Sequence, residues 1–167
     1  KETESSTVRL QAVLQATGNT IGVTVGQVNA LAARMSAFAT GNEVRDATAV
    51  VASFGQAGSL GFERIIQAAA DMTAVFGGDL RSNTERLAEG LQKLINGEQN
   101  LGNAFDFMSA SARAAVTELA RFGQGGAAAQ RALEEMQRTL GGASAAEAGT
   151  ISGALRRSVN ETSLLFE

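Results

Sequence analysis

The residues best able to do chemistry in this chain are carboxylates, so we first ask whether their spacing suits a reaction. Glu134 and Glu135 are adjacent, and on a helix their side chains would point about 100° apart. Asp71 and Asp79 lie near Phe76 without an acid or base partner that we can identify. A glycosidase needs paired carboxyl groups across a cleft, one of them with a raised pKa. The pattern favours solvated surface charges, and we predict no catalytic residues.

Two glycine clusters, Gly77-Gly78 and Gly123-Gln124-Gly125-Gly126, resemble fragments of the loops that hold phosphate groups. Neither follows a strand-like run, and neither is followed by the Lys-Ser or Lys-Thr that a P-loop requires. Glycines at these positions are typical of helix ends, where the chain turns with a positive φ. We therefore predict no cofactor-binding residues and no cofactor.

Several residue types are missing altogether, namely His, Cys, Pro, Trp and Tyr. Their absence excludes a disulfide framework, zinc sites built from thiolates or imidazoles, and any Ser-His or Cys-His catalytic pair. We predict no metal-binding residues.

The charge distribution argues against a nucleic-acid partner. The chain has 14 basic and 17 acidic residues, and only Arg156-Arg157 is a basic pair, whereas nucleic-acid binding needs clustered positive charge. The helix pair 43–54 and 60–76 could suggest a helix-turn-helix, but the polar face of its second helix would present Glu63, Gln67 and Asp71 with Arg64. That face is too acidic for a phosphate-lined groove.

The chain has no apolar run near the ~18 residues that cross a bilayer, and no signal peptide. Its helices are rich in alanine and carry mixed charges, unlike the basic helices that lie on membranes, so mutual packing is favoured. Because the chain begins at Lys1 with polar residues, we interpret it as an excerpt or a processed product of a longer polypeptide.

The elements are organised around the stretch 39–95, which predicts three consecutive helices. We expect Asn42 to cap the first, Ser59 the second, and Ser82 the third, with Glu85 completing a capping box. Apolar residues recur at i, i+3, i+4 and i+7, the pattern of helices that bury one side. The three apolar faces are Val44, Ala47, Val50, Val51 and Phe54; Phe62, Ile65, Ile66, Ala69, Thr73 and Phe76; and Leu87, Leu91, Leu94 and Ile95.

The flanking segments also read as helices. Residues 1–6 are expected to fray before a short helix over 7–16, and Thr24 with Gln27 forms a capping box for a helix that runs to Gly41. Helices are then predicted from about 98 to 108, from Ser109 or Ser111 to Phe122, from 127 to 140, and from Ser144, where Glu147 would complete a capping box. The apolar stripes of these segments are Leu10, Val13 and Leu14; Val25, Val28, Leu31, Ala32, Met35 and Phe38; Leu101, Phe105 and Met108; Ala112, Ala115, Val116, Leu119 and Phe122; Ala129, Leu133, Met136 and Leu140; and Ile151, Leu155 and Val159, followed by Leu164-Leu165-Phe166.

The sequence thus predicts an all-α fold, a multi-helix array of short amphipathic helices with Gly-rich turns. We divide it into an entering segment (1–17), a compact helical domain (18–142) and a helical tail (143–167). Aromatic residues make up only 5%, all of them Phe, so the core is mostly Ala, Val and Leu. Such helices bury little area each, at ~25 cal/mol per Å², and we expect modest stability.

A family resemblance adds to this interpretation. The run Ala68-Ala69-Ala70-Asp71-Met72-Thr73-Ala74-Val75-Phe76-Gly77-Gly78-Asp79-Leu80, followed by Leu87-Ala88-Glu89-Gly90-Leu91, resembles the helix–Gly–helix core of tail-length tape measure proteins of lambda-like phages and prophages. The resemblance spans roughly 15–140 and includes the glycine break at 123–126. One departure is Asn96-Gly97, where many relatives have Asp-Pro.

The resemblance implies a non-enzymatic virion structural protein that sets tail length and is ejected ahead of the DNA. Implied partners are other tape measure copies, the tail tube protein, tail assembly chaperones and the tail tip or baseplate, with possible host envelope contact and no specific nucleic acid. The implied location is the tail lumen, and the host cytoplasm during assembly. A polypeptide ruler would need long helical stretches and a fold weak enough to unravel through a narrow tube.

Two alternatives remain open at this point. The first is a generic helical adaptor or scaffold of the secretion or signalling coiled-coil type, which would share the Ala, Gln and Glu content. The second is an enzyme fragment, a peptidoglycan hydrolase attached to a ruler. Neighbouring tail genes would favour the ruler over the adaptor, and cleavage of peptidoglycan by the purified fragment would favour the enzyme.

Overall fold

The structure, a computed structural model, describes residues 2–19, 21–101 and 104–148, and within these ranges it contains helices and no strand. This confirms the all-α prediction. The helices are α1 (Glu2–Ala16), α2 (Val25–Arg34), α3 (Gly41–Ser53), α4 (Gly55–Gly58), α5 (Phe62–Phe76), α6 (Leu80–Ile95), α7 (Ala110–Arg121), α8 (Gly125–Leu140) and α9 (Ala143–Ala148).

The hairpin of α5 and α6 lies at the centre of the fold. Helix α3 packs on both members of this hairpin and also carries α1 and α2. Helix α8 packs on both members as well and pairs with α7, while the short α9 packs on α5. The central hairpin therefore joins an N-terminal group of helices to a C-terminal group in one continuous apolar core.

The core is built mainly from aliphatic and alanine side chains, as the composition predicts. Its largest fully buried residue is Phe105, which is 1% exposed and lies against Gly90 of α6. The seam predicted for α8 is confirmed, because all four of its members are buried: Ala129, Leu133, Met136 and Leu140.

The predicted cap of α2 is confirmed, but that of α3 is wrong. Thr24 and Gln27 form both bonds of a capping box. With Asn42 as its cap, helix α3 would begin at position 43, but it begins at Gly41. The cap is Thr40, which forms a capping box with Glu43: each side chain accepts the backbone N–H of the other residue, at 3.1 Å in both cases. Asn42 thereby lies inside the helix.

The caps predicted for α5 and α6 are also wrong. Helix α5 starts after Gly61 without any side-chain cap, and Ser59 ends α4 instead. Helix α6 is capped by Asp79, whose carboxylate accepts the Ser82 N–H at 2.8 Å, so that Ser82 lies in the first turn. An anionic cap is favoured because the N-terminal end of a helix carries partial positive charge.

Three other boundaries differ from prediction. Helix α1 begins at Glu2 rather than at 7, because buried Ser6 anchors its first turns. Helix α2 ends at Arg34, and turns follow to position 38. No helix forms over the described part of 98–108, where turns place Phe105 in the core.

At the C-terminal end, Ser109 is the cap of α7, one of the two candidates, and Ser144 lies within α9 rather than at its cap. The stripe of Ile151, Leu155 and Val159 and the apolar run 164–166 lie outside the described residues.

Candidate interaction surface

The adjacent carboxylates of α8 have different environments. Glu134 is exposed, as expected. Glu135 is buried and accepts hydrogen bonds from Arg131 Nε at 3.1 Å and Arg138 NH1 at 2.7 Å, so the prediction of a solvated charge is wrong for this residue. Two guanidinium groups on its own helix satisfy this carboxylate, and its role is structural.

Asp71 is also buried, contrary to the prediction of a surface charge. Its Oδ1 accepts the backbone N–H of Ser144 at 2.9 Å, a bond between positions 73 residues apart. This bond fastens the short helix α9 to α5. The carboxylate thus holds together two segments of the fold.

Asp79 is exposed, as predicted, and acts as the cap of α6. The Ser82 backbone N–H lowers the pKa of this carboxyl group most, and the Ser82 hydroxyl, at 3.0 Å, and the Arg81 charge lower it further. A carboxylate that is stabilised in its charged form caps a helix well but is a poor general acid at neutral pH.

Glu135, Asp71 and Asp79 therefore each serve a separate structural purpose, Glu134 is exposed, and none of the four forms a reactive pair. Within the parts of the chain that the structure describes, no group of three or more acidic residues is placed to hold a metal ion.

A buried arginine cluster was missed by the sequence reasoning. Arg45 of α3 is 5% exposed; its Nε donates to Ser6 Oγ at 2.7 Å and its NH2 to Asn42 Oδ1 at 2.8 Å. This cluster ties α1 to α3. The sequence could have indicated the burial of Arg45 through helical spacing, because Arg45 lies on the same face of α3 as Thr48 and Ala52, which are also buried.

Two predicted core phenylalanines are exposed. Phe76, the last residue of α5, is 55% exposed, and Phe122, just after α7, is 65% exposed. Each lies at a helix end, where the chain turns away at a glycine with positive φ, Gly77 or Gly123. Both rings therefore remain more than half exposed, although they continue the apolar stripes of their helices.

Phe76 forms one wall of an open groove. Its ring lies 5.9 Å from that of Phe107, centroid to centroid, with the planes tilted by 40°. The groove has a volume of about 420 Å³, and Val75, which is 50% exposed, extends the apolar surface beside it. The residues that line the groove are Met72, Phe76, Arg86, Ala104, Asp106 and Phe107.

This groove is the best candidate for a functional surface in the described chain. Its walls are apolar, and its Arg86 and Asp106 carry opposite charges. Exposed apolar surface bordered by polar groups is typical of protein interaction sites. Fold and surface together define a helical domain with an exposed apolar groove and no catalytic group in the part of the chain that the structure describes.

Comparison with known proteins identifies the family. The model of the family described as prophage tail length tape measure protein matches residues 1–117, well over half of the chain. The chain therefore belongs to this family and is a structural protein of a phage tail, as its resemblance indicated. Neither a curated protein nor a solved structure gave a match to the chain.

The matched region runs from α1 into α7 and includes the central α5–α6 hairpin. Of the described helices, none is both long and apolar enough to cross a membrane.

Proposed function

We propose that this chain is a segment of the ruler that sets the length of a phage tail and leaves the particle ahead of the DNA. The family match over residues 1–117 is the observation that carries this proposal. It also favours a tail role over the generic adaptor and the attached hydrolase, which have no comparable support.

The packing of the domain is compatible with a ruler that opens. Helices extend by 1.5 Å per residue when they lie in line, whereas here they fold back on one another. Most of the buried core residues are Ala, Val and Leu, and each alanine buries little apolar area. We infer that the compact state opens into longer helices during assembly or ejection.

The partners follow from this role and are part of the proposal. In the tail lumen the chain would contact other tape measure copies, the tail tube protein and the tail tip or baseplate. In the host cytoplasm, tail assembly chaperones would hold it before the tube forms. Contact with the host envelope would follow ejection, and no specific nucleic acid is required.

A deletion tests the ruler role directly. The 55 residues from 41 to 95 are removed in frame from the complete gene in its phage, and tail lengths are measured by electron microscopy. If these residues lie in line as helix, tails should shorten by about 80 Å, and a duplication of the same residues should lengthen them by about the same amount. Normal tail length in both variants would refute the proposal for this segment.

A further inference from the structure

The end of the described chain lies against the same helix that carries the exposed groove. Helix α9 packs on α5, and the bond from the Ser144 N–H to Asp71 fixes its place there. Residues that follow Ala148 therefore start from the surface of α5. The Ser144 bond at Asp71 lies five residues before Phe76, the last residue of α5.

The exposed apolar surface continues from the α5–α9 contact. Val75 lies one turn after Asp71 on the same face of α5, and Phe76 follows it at the groove. From Asp71 to Phe76 the distance along the helix axis is about 7.5 Å. The bond that holds α9 at Asp71 thus lies within two helical turns of Val75 and Phe76, which remain half exposed.

The sequence beyond Ala148 contains a matching apolar stripe. In the 19 residues from 149 to 167, Ile151, Leu155 and Val159 recur every four positions among mainly polar and small residues. Ile151 is three residues from Ala148, which allows a reach of up to about 10 Å when extended. The start of the stripe therefore lies within reach of the surface of α5, on which α9 packs.

We propose that the segment from Ile151 to Val159 docks in the groove formed by Phe76 and Phe107, beside Val75. The occupant is this chain's own segment rather than a second copy, because a linker of a few residues gives an effective concentration in the millimolar range. Docking covers apolar side chains on both partners and extends the interface that α9 has already formed with α5.

Disulfide trapping tests the contact without ambiguity, because the chain has no cysteine of its own. The double variant Phe76→Cys with Leu155→Cys is oxidised in the full 167-residue chain and examined by non-reducing electrophoresis and mass spectrometry. A monomeric species with an internal disulfide is expected. The matched control is Phe122→Cys with Leu155→Cys. Phe122 is more exposed than Phe76 but follows the C-terminal end of α7, about 18 Å along that helix from its start, which follows the groove residue Phe107 in the chain.

The proposal is overturned if the Phe76 variant remains reduced, if it forms mainly disulfide-linked dimers, or if the Phe122 control forms the internal bond equally well. Dimers would show that a second copy fills the groove.

Limited proteolysis provides a second measurement. Arg156-Arg157 follows Leu155 directly, and docking should protect this pair from trypsin. Phe76→Asp should speed cleavage there by about fivefold or more, because proteolysis follows the population of the open form. Phe122→Asp, a change at another exposed phenylalanine, should leave the rate unchanged. Equal rates in the two variants would contradict the docking.

Discussion

Gly90→Ala is the substitution for which helix propensity and packing predict opposite results. Gly90 lies within α6, and in an exposed helix alanine is better than glycine by about 1 kcal/mol. In the fold, however, an added Cβ would lie 2.8 Å from the Ala104 Cβ and 3.0 Å from the Phe105 ring. Carbon atoms normally pack at about 3.5 to 4.0 Å, so the helix and this turn would have to separate.

The magnitude follows from how little the neighbours can move. The Ala104 methyl group has no other rotamer, and Phe105 is fully enclosed. Overpacking a core by a methyl group costs about 1–3 kcal/mol, and we take the upper half of that range because the closest neighbour is rigid. After the gain of about 1 kcal/mol in helix propensity, Gly90→Ala should lower the free energy of unfolding by about 1–2 kcal/mol.

Urea unfolding followed by far-UV circular dichroism measures this change. Gly126→Ala is the matched control, since a Cβ at that position in α8 meets no atom within 4 Å, and it should stabilise by about 0.5 kcal/mol. The double variant Gly90→Ala with Ala104→Gly should be more stable than the sum of the two single changes. If Gly90→Ala stabilised the protein as much as Gly126→Ala, the packing argument would be refuted.

Four further results are expected. Phe76→Ala should change the free energy of unfolding by less than about 1 kcal/mol, whereas Phe105→Ala should lower it by about 3–5 kcal/mol, both measured in urea. Asp79→Ala should cost about 1 kcal/mol at neutral pH. Because the folded-state pKa of Asp79 is lowered, its contribution is present above the ordinary value of 3.8 and is lost as the pH falls through the lowered value, so the variant and the parent should converge in acid. Asp71→Ala should release α9 and raise amide exchange at Ser144, and unchanged exchange would contradict the role of that bond. A thermal midpoint in the ordinary range of about 45–65 °C is expected, and one above about 90 °C would contradict the opening that we propose for the compact state.

Helix existence could be predicted because apolar periodicity reports directly on burial. The stripes through Ile65, Ile66 and Ala69 of α5 and through Leu133 and Met136 of α8 are buried as expected. Helix starts were less predictable because several capping residues stand close together. Thr40 competes with Asn42, and Asp79 with Ser82, so the outcome depends on which side chain reaches the free N–H groups.

What the sequence could not predict depends on tertiary neighbours. The spacing of Leu101, Phe105 and Met108 is helical, but Phe105 lies in a turn in the structure. Its ring packs against Gly90 of α6, where the missing side chain leaves room for it. The position of Phe76 on a helical stripe could not reveal that more than half of its side chain stays exposed in the fold. The burial of Arg45 likewise requires Ser6, 39 residues earlier in the chain, to lie beside it.

The same close approaches connect the sequence to the proposed ruler role. A methyl group at Gly125 would collide with the backbone oxygens of Leu94 and Ile95, so the start of α8 lies directly on the end of α6. Contacts of this kind depend on close backbones and bury little apolar side-chain area, so each contributes little free energy. A domain held by many such weak contacts has low-energy routes to partial opening. Glycine and alanine in this core therefore allow compact packing at a small cost in buried area, and both properties suit the ruler that we propose.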